Sequence, residues 1–390
     1  MKNIYFFIII ITCIGCGGNP SSTMSEEKIP VIDLEEVLDG KKQEFLLSDI
    51  AKGIEYIPLE FTPECPIKLG TANWDIYFSS TNIFVLSNLI YRFDRNGKYL
   101  NRIGAKGHGP GEYVRANFFT VDTVARRVYL YSDGGQTIVY NYDGKHIRTL
   151  RLEARCAEGL CFVSQTKELV YTGAESGFHH PDHFFLNVTD TMGNTRFKKK
   201  AMVSSMLRGE EKAWWELRTM QDGDDILAYD FMNDTIFRYR KSVLEPYLIL
   251  KFGKYKVTLD AMNSVNYQLE TGKCFRMMFL GSTPKYLFLY LFRTGDFPNK
   301  RYTIRYDKST GECVPGTIVN DLDGGKPWVD LHYCKNQWII LKEAFDMKET
   351  INLSAAEAKA KDPQAFQQLK KLTGKLGDED NPVLMRIILK

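Results

Sequence analysis

The chain has 390 residues, with 51 Lys and Arg against 48 Asp and Glu, and 13% of its residues are aromatic. A charge balance this even, without a basic run of the kind that marks a nucleic-acid surface, excludes nucleic acid as the partner. The length fits one large all-β domain or two ordinary ones, and the aromatic content suits many strands packed face to face.

At the N-terminus, MKNIYFFIIIITCIGC places one lysine, an apolar run and small residues before Cys16. That is the layout of a bacterial export signal over residues 1–15. The run is shorter than the ~20 apolar residues of a permanent membrane helix. CIGC (13–16) resembles a lipobox, with Gly15 in pattern and Cys13 where leucine is usual. Cys16 is therefore the expected lipid-attachment residue, and membrane lipid is the expected partner of this end. The polar stretch GGNPSSTMSEE follows, and residues 16–44 read as a lipidated tether. No acidic residue directly follows Cys16, so the expected location is the cell envelope, at the outer membrane, facing the periplasm or the outside.

LLSDIAKGIEYIPLE (46–60) opens the folded domain, read as 45–390. An alternating unit at 72–103 is followed by GAKGHGPGEY (104–113), whose glycine density raises the question of a phosphate loop. Such a loop opens onto a helix, whereas VRANFFTVD follows here, a spacer and another strand. The stretch is expected to turn an architectural corner. Next, FFTVD, RVYLYSD, TIVYNYD and HIRTLRL (118–152) are four short alternating runs separated by turn residues. Further units are read at 160–199, 217–252 and 274–319, with an insertion in 254–273. A last unit takes strands from 327–333, 338–345 and 382–390, and its fourth from 53–60. Within it, LSAAEAKAKDPQAFQQLKKLTGKLG (353–377) reads as a helical insertion near 354–376, interrupted at Pro363.

FDRNGKYL (93–100), YDGKHI (142–147), TDTMGNTRF (189–197) and YDKSTGECV (306–314) share one plan: Asp, a turn through Gly, then another strand. The Asp side chain caps the turn backbone and Gly supplies a positive φ. Aligned this way, Asp94, Asp143 and Asp190 lie 49 and 47 residues apart. Four strands in each unit of about 40–50 residues is the mark of a propeller blade. The fold expected is all-β: a six-bladed β-propeller of four-stranded antiparallel blades, its last blade closed by N- and C-terminal strands, which hides the edges.

IYRFDRNGKYLNRIGAKGHGPGEY (90–113) with FFTVDTVARRVYLYSDGGQTIVYNYDGK (118–145) resembles the NHL-type repeat. More narrowly, these segments, LLSDIAKGIEYIPLE and the terminal DEDNPVLMRIILK (378–390) are similar to the 6-bladed β-propeller lipoprotein family of Gram-negative bacteria. That resemblance implies a six-bladed ring and a lipid anchor, and it implies no reaction.

In a propeller, blade-to-blade corners share a face with the turns between second and third strands. Lys106, His108, Glu112 and Arg115 are expected on that concave face, beneath the helical insertion, as the candidate ligand face. FHHPDHFF (178–185) gathers His179, His180, Asp182 and His183, ligand types for a divalent metal, and His332 falls on an innermost strand. Trp214 and Trp215 are expected to pack between blades. Six cysteines beyond the lipobox (Cys65, Cys156, Cys161, Cys274, Cys313 and Cys334) leave open both a Cys156–Cys161 pairing and buried thiols. With no nucleophile elbow and no spaced catalytic set, the reading favours a lipid-anchored, non-catalytic module that binds a peptide, glycan or partner protein, with no cofactor. The alternative is an NHL-type metal-dependent lyase or hydrolase, which requires His108, His332 and the 179–183 cluster to converge at the axis.

Overall fold

The computed structural model describes residues 29–69, 74–132, 135–152, 157–173, 184–200, 217–230, 233–258, 260–261, 264–293, 301–325, 332–333 and 337–390. The expected signal, Cys16, the 179–183 cluster, Trp214 and Trp215 lie outside the described residues.

The chain enters as a strap: β1 (Val31–Asp33), helix α1 (Leu34–Asp39), β2 (Gln43–Leu46), helix α2 (Leu47–Ile50) and β3 (Ala51–Pro58). Four-stranded meanders follow. Blade one holds β4 (Trp74–Phe78), β5 (Asn82–Ser87), β6 (Leu89–Asp94) and β7 (Tyr99–Ile103). Blade two holds β8 (Ala116–Asp122), β9 (Arg127–Ser132), β10 (Gln136–Asn141) and β11 (His146–Arg151). Blade three holds β12 (Ala157–Val163), β13 (Glu168–Gly173), β14 (Phe184–Asp190) and β15 (Thr195–Lys200). Blade four holds β16 (Leu217–Asp222), β17 (Asp225–Asp230), β18 (Thr235–Arg240) and β19 (Val243–Lys251). After α3 (Tyr267–Gly272), blade five holds β20 (Arg276–Ser282), β21 (Tyr286–Phe292), β22 (Arg301–Asp307) and β23 (Cys313–Val319). Blade six holds β24 (His332–Tyr333), β25 (Gln337–Lys342) and β26 (Val383–Leu389), with β3 as its outer strand. Pairing of Ile57 with Leu384 thus closes the ring with the two ends of the chain, as expected. Between β25 and β26, helices α5 (Leu353–Lys359) and α6 (Pro363–Thr373) stand where the insertion is expected, and α4 (Ala344–Thr350) precedes them, so the strand expected over 338–345 ends at Lys342.

The blades exist because period-2 alternation gives each middle strand two apolar faces, which one sheet alone cannot bury. In β5, Ile83 and Val85 join the core shared with blade six, while Phe84 and Leu86 join the core shared with blade two. In β9, Val128 and Leu130 face blade one and Tyr129 and Tyr131 face blade three. Each of the six blade junctions carries one such cluster. A seventh, containing Leu369, Leu376 and Val383, lies under the helices.

Two expectations need correction. The domain begins before residue 45: β1 and β2 add parallel fifth strands to blades four and five, so residues 31–44 belong to the ring's rim. In the turn of blade two, the capping residue is Asn141, not Asp143. Asn141 Oδ1 accepts from Asp143 N (3.1 Å) and Lys145 N (2.9 Å). This matches Asp94 Oδ1 with Asn96 N and Lys98 N, and Asp190 Oδ1 with Met192 N and Asn194 N. Each cap stands three residues before a left-handed glycine, Gly97, Gly144 or Gly193. Asn and Asp both present the acceptor oxygen that such a turn needs, which is why spacing by Asp alone misaligned the repeat.

Candidate functional site

Because strands alternate in direction, the corners and the second-to-third-strand connections emerge on one face, here called the corner face. The other turns emerge opposite. The glycine-rich corner at 104–115 closes on itself: Tyr113 N donates to Ala105 O (3.1 Å), Gly107 N to Tyr113 O (3.2 Å) and Glu112 N to Gly109 O (3.0 Å). Tyr140 Oη from blade two donates to Gly111 O at 2.7 Å. A Cβ on Gly104 (φ +69°) would stand 2.7 Å from the Tyr140 ring, so the corner must be glycine there to seat against the neighbouring blade. No helix N-terminus follows, and the corner is architectural.

The four residues expected on this corner divide. Lys106, His108 and Arg115 are exposed, and among the described residues none of their side chains joins an ion pair or hydrogen bond. Glu112 is exposed too, but its Oε2 folds back along the loop and accepts from Gly109 N at 2.9 Å, so it holds the corner's shape. His332 opens the short innermost strand β24, where it pairs with Ile339 of β25.

Sequence reading missed the residues at the corner-face ends of the inner strands. Asp75 on β4, Asn117 on β8, Arg218 on β16 and Arg276 on β20 are each the first or second residue of an innermost strand, and each is half-buried. Together they put a carboxyl, an amide and two guanidinium groups on the corner-face ends of four inner strands. The Asp75 carboxyl accepts from Ile76 N at 2.8 Å. Burial pushes its pKa up to about 7, against the lowering effect of backbone hydrogen bonds from Ile76 and Phe119. A buried carboxyl with its pKa raised in this way, at the junction of two inner strands, marks a candidate site. Its sequence context, WDIYF, gave only strand alternation.

The helical insertion covers the corner from blade five to blade six. Asp323 is fully buried there and accepts from Tyr56 Oη, Asn320 Nδ2 (2.5 Å) and Gly325 N (2.8 Å). Burial, then the Asp323 charge, raises the Tyr56 pKa well above its ordinary value. Asp321 ties three segments together: it accepts from Ser48 N (2.8 Å) and Ser48 Oγ (2.6 Å) of the strap and pairs with Lys361 Nζ (2.8 Å) between the helices. Burial works to raise the Asp321 carboxyl, and Lys361 and Ser48 outweigh it, so its pKa lies below the usual carboxylate value. These groups are used up in holding the face together. Cys65 and Cys313 are thiols, pushed up to about 12 by burial and by neighbouring glutamates, a setting that makes them poor nucleophiles. Cys156 and Cys334 lie outside the described residues.

Among the described residues no three His, Cys, Asp or Glu side chains gather as a metal set, and no helix is long and apolar enough to cross a membrane.

Six blades around an axis, with corners, helices and a polar mouth on one face, define a β-propeller. The chain belongs to the family described as domain of unknown function DUF4934, whose match spans residues 29–387. No curated protein matches it. It is similar in structure to a protein of Bacteroides fragilis NCTC 9343, described provisionally as exported and known from a crystal structure at 2.60 Å resolution. The likeness covers 90% of this chain and 100% of that one, at a TM-score of 0.64 and 18% identity, and it shows the fold alone.

Proposed function

We propose that the protein is an exported, lipid-anchored propeller that binds a peptide, glycan or partner protein at the mouth of its corner face. The observation that carries this reading is the placement of Asp75, Asn117, Arg218 and Arg276 at one end of the axis, beside exposed Lys106, His108 and Arg115 that the fold does not use. Concave, multi-element mouths with convergent polar groups are the usual binding sites of such folds. The export layout of residues 1–15 and the CIGC motif support the anchor at Cys16, and the provisional description of the Bacteroides fragilis protein as exported supports export alone. The finer kinship with NHL-like outer-membrane lipoproteins rests on the corner and closing-strand motifs.

The test is a peptide and glycan array probed with a chain starting at Gly17, which keeps every described strand. Arg276→Ala is expected to weaken the best ligand at least tenfold, with the thermal midpoint measured alongside to separate lost binding from lost stability. A ligand whose affinity survives Arg276→Ala, Lys106→Ala and His108→Ala together would place binding elsewhere. For the anchor, mass spectrometry of the envelope protein should find acyl chains on Cys16, and Cys16→Ser should release it.

A further inference from the structure

The rim of the ring is electrostatically divided. The outer strands β7, β11 and β15 of blades one to three carry no acidic residue. With the turns that lead into them (93–103, 142–152 and 189–200), they hold ten Lys and Arg against three Asp. Asp94 and Asp190 spend their carboxylates on turn N–H groups, and Asp190 also pairs with Arg196 at 3.0 Å. By contrast, the strap and β3 (31–60), which cover the rim of blades four to six, hold eight Asp and Glu against three Lys. On the basic arc Lys98, Arg102, Lys145, Arg151 and Lys200 are exposed and Lys198 is half-buried. None of these six forms an ion pair among the described residues.

The strap enters the ring next to this arc. β1 runs parallel to β19, with Val31 beside Ile249 and Asp33 beside Lys251. Ile29 and Pro30, the first described residues, therefore lie on the side of β1 that faces the Val243 end of β19. That end adjoins blade three, where Ser242 Oγ donates to Glu168 at 2.9 Å and Lys199 lies over the Phe237 ring. From Cys16 to Ile29 the chain spans at most roughly 45 Å when extended.

We propose that the basic outer wall of blades two and three docks on the anionic phospholipid headgroups of the leaflet that holds the anchor, so that the ring stands on its rim. The orientation rests on the lipid-anchor reading; the affinity of the wall for headgroups does not. Exposed cations near an anionic leaflet attract it by about 1 kcal/mol each. A ring on its rim leaves the corner face open to the side. Lysines on outer strands also discourage edge-to-edge pairing, but that role requires no affinity for lipid.

The experiment is co-sedimentation of the chain starting at Gly17 with vesicles of phosphatidylethanolamine and phosphatidylglycerol, and with vesicles of phosphatidylcholine alone. Binding is expected only to the anionic vesicles, strongest at low salt and lost at 1 M salt. Lys198→Ser with Lys200→Ser is expected to weaken it about 25-fold, about fivefold for each charge, and Lys145→Ser with Arg151→Ser similarly. Lys41→Ser with Lys42→Ser on the strap should change it less than twofold. No binding to anionic vesicles at low salt overturns the proposal and leaves the lysines their edge-protecting role. Binding that the strap pair weakens as much as the wall pairs also overturns it. Capture by polyglutamate without capture by vesicles replaces it with an acidic polypeptide partner. Because the chain carries no lipid and the corner face is untouched, failure here leaves the ligand-binding reading standing.

Discussion

Blades one to three and blades four to six follow one plan, yet they finish their outer edges differently. In the first half, each outer strand is entered through a turn capped by Asp94, Asn141 or Asp190 and bent at a left-handed glycine, and the edge is left open with Arg and Lys along it. In the second half the turns depart from that pattern. Blade four turns through Lys241 and Ser242, both left-handed without glycine, and blade five needs an extra residue between Asp307 and Gly311. There the edges are covered by a strand from far away in sequence, β1 on blade four and β2 on blade five. Charge protects the edges of blades one to three and pairing those of blades four and five, two of the ways in which a sheet edge is kept from aggregating. Local turn chemistry sets register where it is strong, and non-local pairing adds to it where it is weak.

The sharpest way to break this contrast is to attack the strap. Phe45 on β2 is 2% exposed and meets the Phe288 ring edge-on at 6.4 Å. If the strap is part of the core, Phe45→Ala costs about 3–5 kcal/mol in chemical denaturation. A loss under about 1 kcal/mol, the level of an ordinary surface change, would return the strap to the status of a tether. Next in size is Asp321→Asn, which removes a charged acceptor shared by strap, corner and helices. A loss of about 2–3 kcal/mol at pH 7 is expected. The pKa of Asp321 is depressed in the folded state, so its contribution is present above the unfolded value of about 3.9 and fades as pH falls through the folded value. Wild type and variant should therefore converge in stability at strongly acid pH; a gap that persists there would show that the charge is not what matters.

Much of this fold was legible because alternation and turn glycines are local signals: Ile83 and Val85 against Phe84 and Leu86 can be read straight off NIFVLS. So was the shared last blade, since GIEYIPLE and PVLMRIILK both alternate and neither has another partner nearby. The strap was not. Three residues, VID, carry no periodicity, and whether they pair depends on β19, more than 200 residues away. The candidate site was less legible than the fold. Exposure of Lys106, His108 and Arg115 follows from the corner, but the mouth is assembled by strands whose heights on the axis no single stretch reports. Glu112 and its neighbours have the same sequence character, yet only the closed loop reveals that Glu112 is occupied.

Asp75 separates blade one from the other junctions, because its carboxyl is held among backbone N–H groups of two adjoining inner strands. Its folded-state pKa of about 7 is raised, so the native state binds that proton more tightly than the unfolded chain does. Stability is then lost as pH rises from about 4 to about 7. Asp75→Asn, neutral at every pH, is expected to gain on the order of 2 kcal/mol at pH 8 and to flatten the pH profile in that window. A variant less stable than wild type at pH 8 would mean that the ionised carboxylate is favoured at the mouth.

The smallest effect bears on the turn code itself. If Asn141 is the cap of blade two, Asn141→Ala should cost about 1 kcal/mol, the usual value of such a hydrogen bond. Asp143→Ala, at an exposed turn position, should fall within about 0.5 kcal/mol of wild type. Asn141→Asp provides the finer discrimination, since it installs the residue that blades one and three already use and keeps the acceptor for Asp143 N and Lys145 N. It should be close to neutral at pH 7 and should lose stability on acidification, as the new carboxylate is protonated and gives up its charge-assisted bonds. Were Asp143→Ala the costlier of the two alanine variants, the repeat would have to be realigned on Asp143, and the equivalence of the first three blades would fail at the turn that defines it.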